Sequence, residues 1–158
     1  MEKNESKAYQ IDDLDRAILN RLQQDSRVSF QEIARELIVS GGTIHVRVNK
    51  MKEEGIIQGS KLVIDFQKLG LEVTSFVGIN LASAGDYPSA LKKLKKFPEI
   101  TEVHYTTGNY SMFIKVVTKS TKDLHLFLTE KLQPIPEVHS TETLISLDSP
   151  IVRDPQIP

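Results

Sequence analysis

Four residues, Ile38-Val39-Ser40-Gly41, separate two stretches with helical spacing, and no other feature restricts the fold of this chain more. Upstream, "SFQEIARELIV" places Ile33, Ala34 and Leu37 on one face, and Ser29 with Glu32 three residues later is a capping-box pair. Downstream, "GGTIHVRVNKMKEEG" puts Ile44, Val48 and Met51 at i, i+4 and i+7, with Ser40 as its cap and Gly55 placed to end it in the left-handed conformation. A link this short forces a sharp crossing, which is the helix-turn-helix arrangement. An earlier helix, "IDDLDRAILNRLQQDS", supplies Leu14, Ile18 and Leu22 at four-residue spacing. Its first free amides fall to Asp12 or Asp13, and Asp15 suits the positive end of its dipole. Three such helices make a small bundle over residues 8–58.

Around Gly59 the pattern turns β-rich. "IIQGSKLVIDFQKLG" reads as a wing-like strand, so residues 59–73 are expected to form a strand linker. From residue 74 to 150 strands alternate with helices: "VTSFVGINLAS", then the helix "DYPSALKKLKKFP", then "ITEVHYTT" and "YSMFIKVVT" about the turn Thr107-Gly108-Asn109. The helix "TKDLHLFLTEKLQ" follows, with Leu124, Phe127, Leu128 and Leu132 inward, and "VHSTETLISL" is a last strand. The order βαββαβ is that of a ferredoxin-like sandwich with helices on one sheet face. The chain is thus α+β. The tail "SPIVRDPQIP", with three prolines, is expected to be loosely held.

The third helix has an unusual surface. From Val39 to Lys52 there are three Lys or Arg and no Asp or Glu, in a chain with 20 such cations against 21 acids. The bias is local, because the formal net charge is −1. A helix entering the DNA major groove needs a small leading end, free amide hydrogens near phosphate and flanking cations. Ser40, Gly41, Gly42 and Thr43 meet the first two needs, and Arg47 and Lys50 the third. His45, Asn49 and the Thr43 hydroxyl can reach base edges, and Val46 can touch a thymine methyl. Many solvated helices are equally basic, so charge alone does not decide for double-stranded DNA; the capped helix pair and the Gly-Gly lead tip the balance.

Other functions find little support. Without cysteine there is no disulfide, thiolate metal site or thiol nucleophile. His45, His104, His125 and His139 are scattered, with no ligand-spaced pair, although His104 and His139 could meet if their strands were neighbours. No Gly-rich phosphate loop or G-x-S-x-G elbow is present. The expectation is therefore no enzyme, no metal and no cofactor. The polar N-terminus is unlike a signal peptide, and no apolar run approaches the roughly 20 residues that span a bilayer. A cytoplasmic protein without membrane association is the default.

The second half suits a binding module. "YTTGNYS" gathers hydroxyls, a carboxamide and a glycine, and "VHSTETL" offers His139, Ser140, Thr141 and Glu142 in a row. A free amino acid needs donors for its carboxylate and acceptors for its ammonium, and Glu142 could serve the ammonium. A good turn and the polar face of a strand explain the same residues from sequence alone, and both readings stand at this point.

The run "LDRAILNRLQQDSRVSFQEIARELIVSGGTIHVRVNKMKEEGIIQG" resembles the N-terminal domain of the Lrp/AsnC family of transcription regulators. The likeness extends from about Ile11 to Leu147, and "GTIHVRVNKMK" is most similar to the asparagine-responsive branch. The resemblance implies a dimeric helix-turn-helix protein with a ferredoxin-like amino-acid-sensing and oligomerisation domain, whose dimers build a larger assembly, an octamer. It implies an effector near Val103, His104 and Tyr105, near Thr107, Gly108, Asn109 and Tyr110, and near Val138, His139, Ser140, Thr141 and Glu142. Phe127, Leu128 and Thr129 are expected to face a neighbouring subunit. Many members of the family carry Asp where this chain has Ser111; with the loop "TTGNYSMFIKV" and the strand "STETLI", that moves the expected effector from leucine to asparagine. The implied function is control of asparagine metabolism genes and of its own gene. A leucine-responsive type, or a DNA-architectural protein with no ligand, is the alternative.

Overall fold

The computed structural model describes residues 9–158, so the expected start of the first domain at residue 8 lies outside the described residues. The chain divides into two compact units, one comprising residues up to Val63 together with Arg153–Pro158, the other Ile64–Val152.

The first unit holds three helices: α1 (Asp13–Gln24), α2 (Phe30–Glu36) and α3 (Gly41–Glu53). Each starts on a side-chain cap. Asp12 accepts from the Asp15 amide in a complete capping box, Ser29 accepts from Glu32, and Ser40 from Thr43. Gly55 ends α3 at φ 72°, and the amides of Ile56 and Ile57 both return to the Met51 carbonyl. Ile18, Ile33, Ala34, Ile44, Val48 and Met51 form the buried core of the bundle. The turn between α2 and α3 places Ile38 at φ 57° with 92% of its surface exposed.

The expected strand over residues 59–73 is not formed. Residues 58–65 have no regular structure, and a single 3₁₀ turn, Gln67–Leu69, ends on Gly70 at φ 83°. A strand needs a partner for its amides and carbonyls, and Leu62 and Val63 lie exposed with none among the described residues. The tail also departs from expectation: the Arg16 Nε donates to the Pro158 main-chain oxygen at 2.6 Å, and Ile157 and Pro158 line an apolar cleft with Leu19, Leu22, Phe30 and Ile57.

The second unit runs β1 (Val73–Leu81), α4 (Tyr87–Leu94), β2 (Ile100–Tyr105), β3 (Met112–Thr118), α5 (Thr121–Leu126) and β4 (Val138–Ile145). The sheet order is β2-β3-β1-β4 with every neighbour antiparallel, which is the ferredoxin-like arrangement. Val77 and Ile79 of β1 and Met112, Ile114 and Val116 of β3 face the helices, where Ala90, Leu94, Leu124, Phe127 and Leu132 complete the core. After Leu126 the helix widens into a π-helical segment, Phe127–Leu132, which lets residues five apart, Phe127 and Leu132, both point inward.

Candidate nucleic-acid interface and ligand site

On α3, packing fixes which residues look outward. With Ile44, Val48 and Met51 buried, the exposed residues are Gly42, His45, Val46, Asn49, Lys50, Lys52 and Glu53, while Gly41, Thr43 and Arg47 are half-buried. Val46 is 67% exposed, which leaves most of its apolar surface in contact with water. The leading turn is braced by the Ser40–Thr43 hydroxyl contact at 2.8 Å. His45 lies edge-on to the Phe30 ring, and its Nδ1 meets the Asn49 amide nitrogen at 3.1 Å. The two polar side chains most able to read base edges therefore stand together as one outward unit.

The cations are not equivalent. Lys50 pairs with Glu54 at 2.9 Å, an exposed i,i+4 contact that raises its pKa and is weak enough to exchange for a phosphate. Arg47 is turned inward: its Nη1 lies 2.6 Å from Asp12 Oδ2 and 3.2 Å from Asp15 Oδ2. Asp15 is fully buried, and its Oδ2 also accepts from the Tyr9 hydroxyl at 2.8 Å and the Asp12 amide at 3.2 Å. Asp12, then Tyr9, hold the Arg47 pKa well above its ordinary value. Burial, then the bond to Asp15, raises that of Tyr9, and the Asp15 amide, then Arg47, lowers that of Asp12. The expectation of Arg47 as a free flanking cation is corrected accordingly: separations of 35 and 32 residues along the chain hide its carboxylate partners from any local reading.

The residues expected around the effector fall into three sets. At one end of the sheet, the hairpin loop, the end of β1 and the start of β4 converge. The loop closes through the Thr106 amide to the Ser111 carbonyl and the Thr106 hydroxyl to the Tyr110 carbonyl, with Gly108 at φ 108° at its tip between Thr107 and Asn109. The Ser111 hydroxyl accepts from the Leu81 amide at 3.3 Å, and Asn80 donates to Ser140 at 3.1 Å. The Tyr110 hydroxyl donates to Glu142, which raises the pKa of Tyr110. Tyr110 lies on the sheet face away from the helices, its ring against Gly78, where a Cβ would sit 2.6 Å from ring carbons. Gly78 is opposite both Phe113 and Glu142 in register, and Phe76 stacks on Phe113 at 6.0 Å, so this face carries an aromatic row beside a carboxylate. His139 occupies a bulge in β4, where Ser140 pairs with Asn80 but Val138 with Leu81.

A second set points elsewhere. Tyr105 packs on Tyr87 at 4.4 Å on the helical side. His104 faces the open side but pairs with Glu102 at 3.3 Å on the edge strand β2, whereas His139 is on the opposite edge, β4, so the two histidines do not meet. The third set belongs to the core. Phe127 is 2% exposed and meets Phe97 edge-on, and Val103, Leu128 and Val138 pack against the same cluster. Phe127 is buried, as its helical spacing from Leu124 predicts, and that burial corrects the expectation that it faces a neighbouring subunit. Thr129 remains exposed, its hydroxyl donating to the His125 carbonyl. Gly78 and Asn80 were missed from sequence; a glycine inside an alternating strand was the available sign of close approach.

Among the described residues no group of three or more His, Cys, Asp or Glu could hold a metal, and no helix is long and apolar enough to cross a membrane. A capped helix-turn-helix unit with an acid-free first turn on α3, followed by a βαββαβ unit with a polar cluster at one sheet end, is an arrangement suited to a class: transcription regulators that bind DNA and respond to a small molecule. Sequence comparison agrees. Residues 11–58 match the winged helix-turn-helix DNA-binding pattern and residues 74–156 the Lrp/AsnC ligand binding domain. The chain is 52% identical over 146 residues to the regulatory protein AsnC of Haemophilus influenzae, covering 92% of this chain and 97% of the relative. It is 52% identical over 145 residues to that of Escherichia coli K12, covering 92% and 95%. The solved structure of the E. coli AsnC superposes with a TM-score of 0.92 at 50% identity, covering 94% of this chain and 100% of that one. The chain belongs to the Lrp/AsnC family, and it is a ligand-modulated, DNA-binding transcription regulator rather than an enzyme.

Proposed function

We propose that this regulator senses L-asparagine and controls genes of asparagine metabolism together with its own. The observation that carries the reading is the 52% identity, over 92% of the chain, to regulatory proteins AsnC. In this reading Ser40, Gly41, Gly42, Thr43, His45, Val46, Asn49 and Lys50 face duplex DNA. The effector is held where the loop meets β4, by Thr107, Gly108, Asn109, Tyr110, His139, Ser140, Thr141 and Glu142. The convergence of loop, β1 end and β4 start supports that placement: Glu142 supplies an acceptor for an ammonium group, and the loop hydroxyls and amides supply donors for a carboxylate. A fixed donor and acceptor for the carboxamide discriminate asparagine from aspartate, since the wrong ligand leaves a buried group unpaired at about 1–3 kcal/mol.

Dimers present two α3 helices to half-sites about one helical turn apart, so the operator is a rough palindrome. The dimers assemble further, to an octamer, in the cytoplasm. Asparagine then shifts DNA binding only through a difference in its affinity for two arrangements of that assembly. The test is a thermal-shift titration with each of the twenty amino acids. A rise with asparagine is expected; stabilisation by leucine and not asparagine would remove the assignment, and no response to any amino acid would favour a DNA-architectural role.

A further inference from the structure

We propose that Arg47 is a positioning residue rather than a phosphate contact: clamped on Asp12 and Asp15 of the α1 start, it sets the angle at which α3 presents His45 and Asn49 to the groove. The inference rests on α3 being the DNA-reading helix.

The geometry carries it. One guanidinium nitrogen bridges both carboxylates, at 2.6 and 3.2 Å, and the inner partner, Asp15, is fully buried with Tyr9 on the same oxygen. Among the described residues Arg47 is the one cation within salt-bridge distance of Asp15, whose other oxygen, Oδ1, has no hydrogen-bond partner there. Withdrawing the guanidinium to a phosphate would leave a carboxylate in the core uncompensated, which is strongly unfavourable. Lys50 faces no such penalty, because its partner Glu54 is exposed. Position matters here for a further reason. Arg47 is flanked by Val46, the exposed apolar contact, and by Val48, the buried anchor, and it lies two residues from both His45 and Asn49, on a different face of α3, where it holds the helix without entering the reading surface itself. A shift of α3 about its axis moves both polar readers together, since they are bonded to each other. Tyr9 and Asp12 extend the clamp to the segment that opens α1, so the brace is built from three points rather than one.

The test uses the full-length protein, an operator selected by the wild-type protein from a random duplex library, and a random duplex of equal length. Affinity for each is measured across salt for wild type, Arg47→Gln and Asp12→Asn. Asn keeps the helix cap of Asp12 while removing its charge from Arg47. Expected is a ten- to hundred-fold loss on the operator, about the value of one base contact, in both variants. Binding to the random duplex and the slope of log affinity against log salt stay at the wild-type values. A merely destabilised fold would weaken both duplexes alike, and so contradicts the proposal. The proposal is also overturned if Arg47→Gln lowers the salt slope by about 0.9, the value of one phosphate contact, or if Asp12→Asn binds the operator as tightly as wild type. Should Arg47→Gln not fold, the Asp12→Asn result decides. If the wild-type protein shows no salt-dependent duplex binding, the reading of α3 itself fails, an outcome distinct from loss of the clamp.

Discussion

The ring of Tyr110 lies flat enough on Gly78 that a single methyl group there would collide with it, while the Tyr110 hydroxyl holds Glu142 of the neighbouring strand. Loop and sheet are thereby tied at the end of the sheet where ligand recognition is proposed. Gly78 is buried although it faces away from the core, because an aromatic ring covers it.

Gly78→Ala is therefore expected to destabilise the protein by about 1–3 kcal/mol, the usual cost of adding a methyl group to a tightly packed site. Urea unfolding measures it. Tyr110→Phe, which keeps the ring and drops the hydroxyl, should cost less. A neutral Gly78→Ala would show that the ring does not rest on the glycine.

Ile38 has a β-branched side chain in the left-handed region, where an L-residue costs roughly 1–2 kcal/mol. Its side chain is almost wholly exposed, so little packing is lost on removal. Ile38→Gly should raise stability by up to about 1 kcal/mol, the strain relieved exceeding the extra unfolded-state entropy of glycine. A higher urea midpoint with an unchanged slope is the expected result; a lower midpoint would show that the left-handed conformation costs Ile38 less than glycine costs through the unfolded state.

Glu137 receives the ammonium of Lys93 at 2.6 Å and the Ser89 hydroxyl, and these lower its pKa from 4.5 to about 2. A carboxylate depressed on folding contributes stability above its unfolded pKa and loses it as pH falls through the folded value. The second unit should thus lose stability between about pH 4.5 and about pH 2. In Glu137→Gln that component of the acid dependence should be absent, measured as the urea midpoint across the same range. An identical acid profile in the variant would contradict the pairing.

Local physics was legible in the sequence. The caps Ser29 and Ser40, the stop at Gly55 and the seam Ile44-Val48-Met51 all depend on residues within two turns of one another. The βαββαβ order followed from alternation and turn signals, and the sheet order agrees with it. What escaped is set by distant or irregular geometry. Arg47 reads as a surface cation until α1 brings Asp12 and Asp15 to it. Phe127 reads as a core residue from its spacing to Leu124 and is one, but nothing local signals the π-helical widening that follows it. The linker from residue 59 has strand composition but no strand partner among the described residues. Ile38 carries no local signal for a left-handed turn, which the closure between α2 and α3 imposes.

The most direct measurement of the central claim, that the outer face of α3 enters the groove, uses the absence of cysteine from the chain. A single cysteine placed as Val46→Cys, at a position 67% exposed on that face, takes a photo-crosslinker without competing thiols. With selected operator bound, crosslinks should form from position 46 to bases within the half-site, and should fall away as added salt releases the complex. Crosslinks from position 46 to protein alone, while the operator remains bound, would contradict the claim.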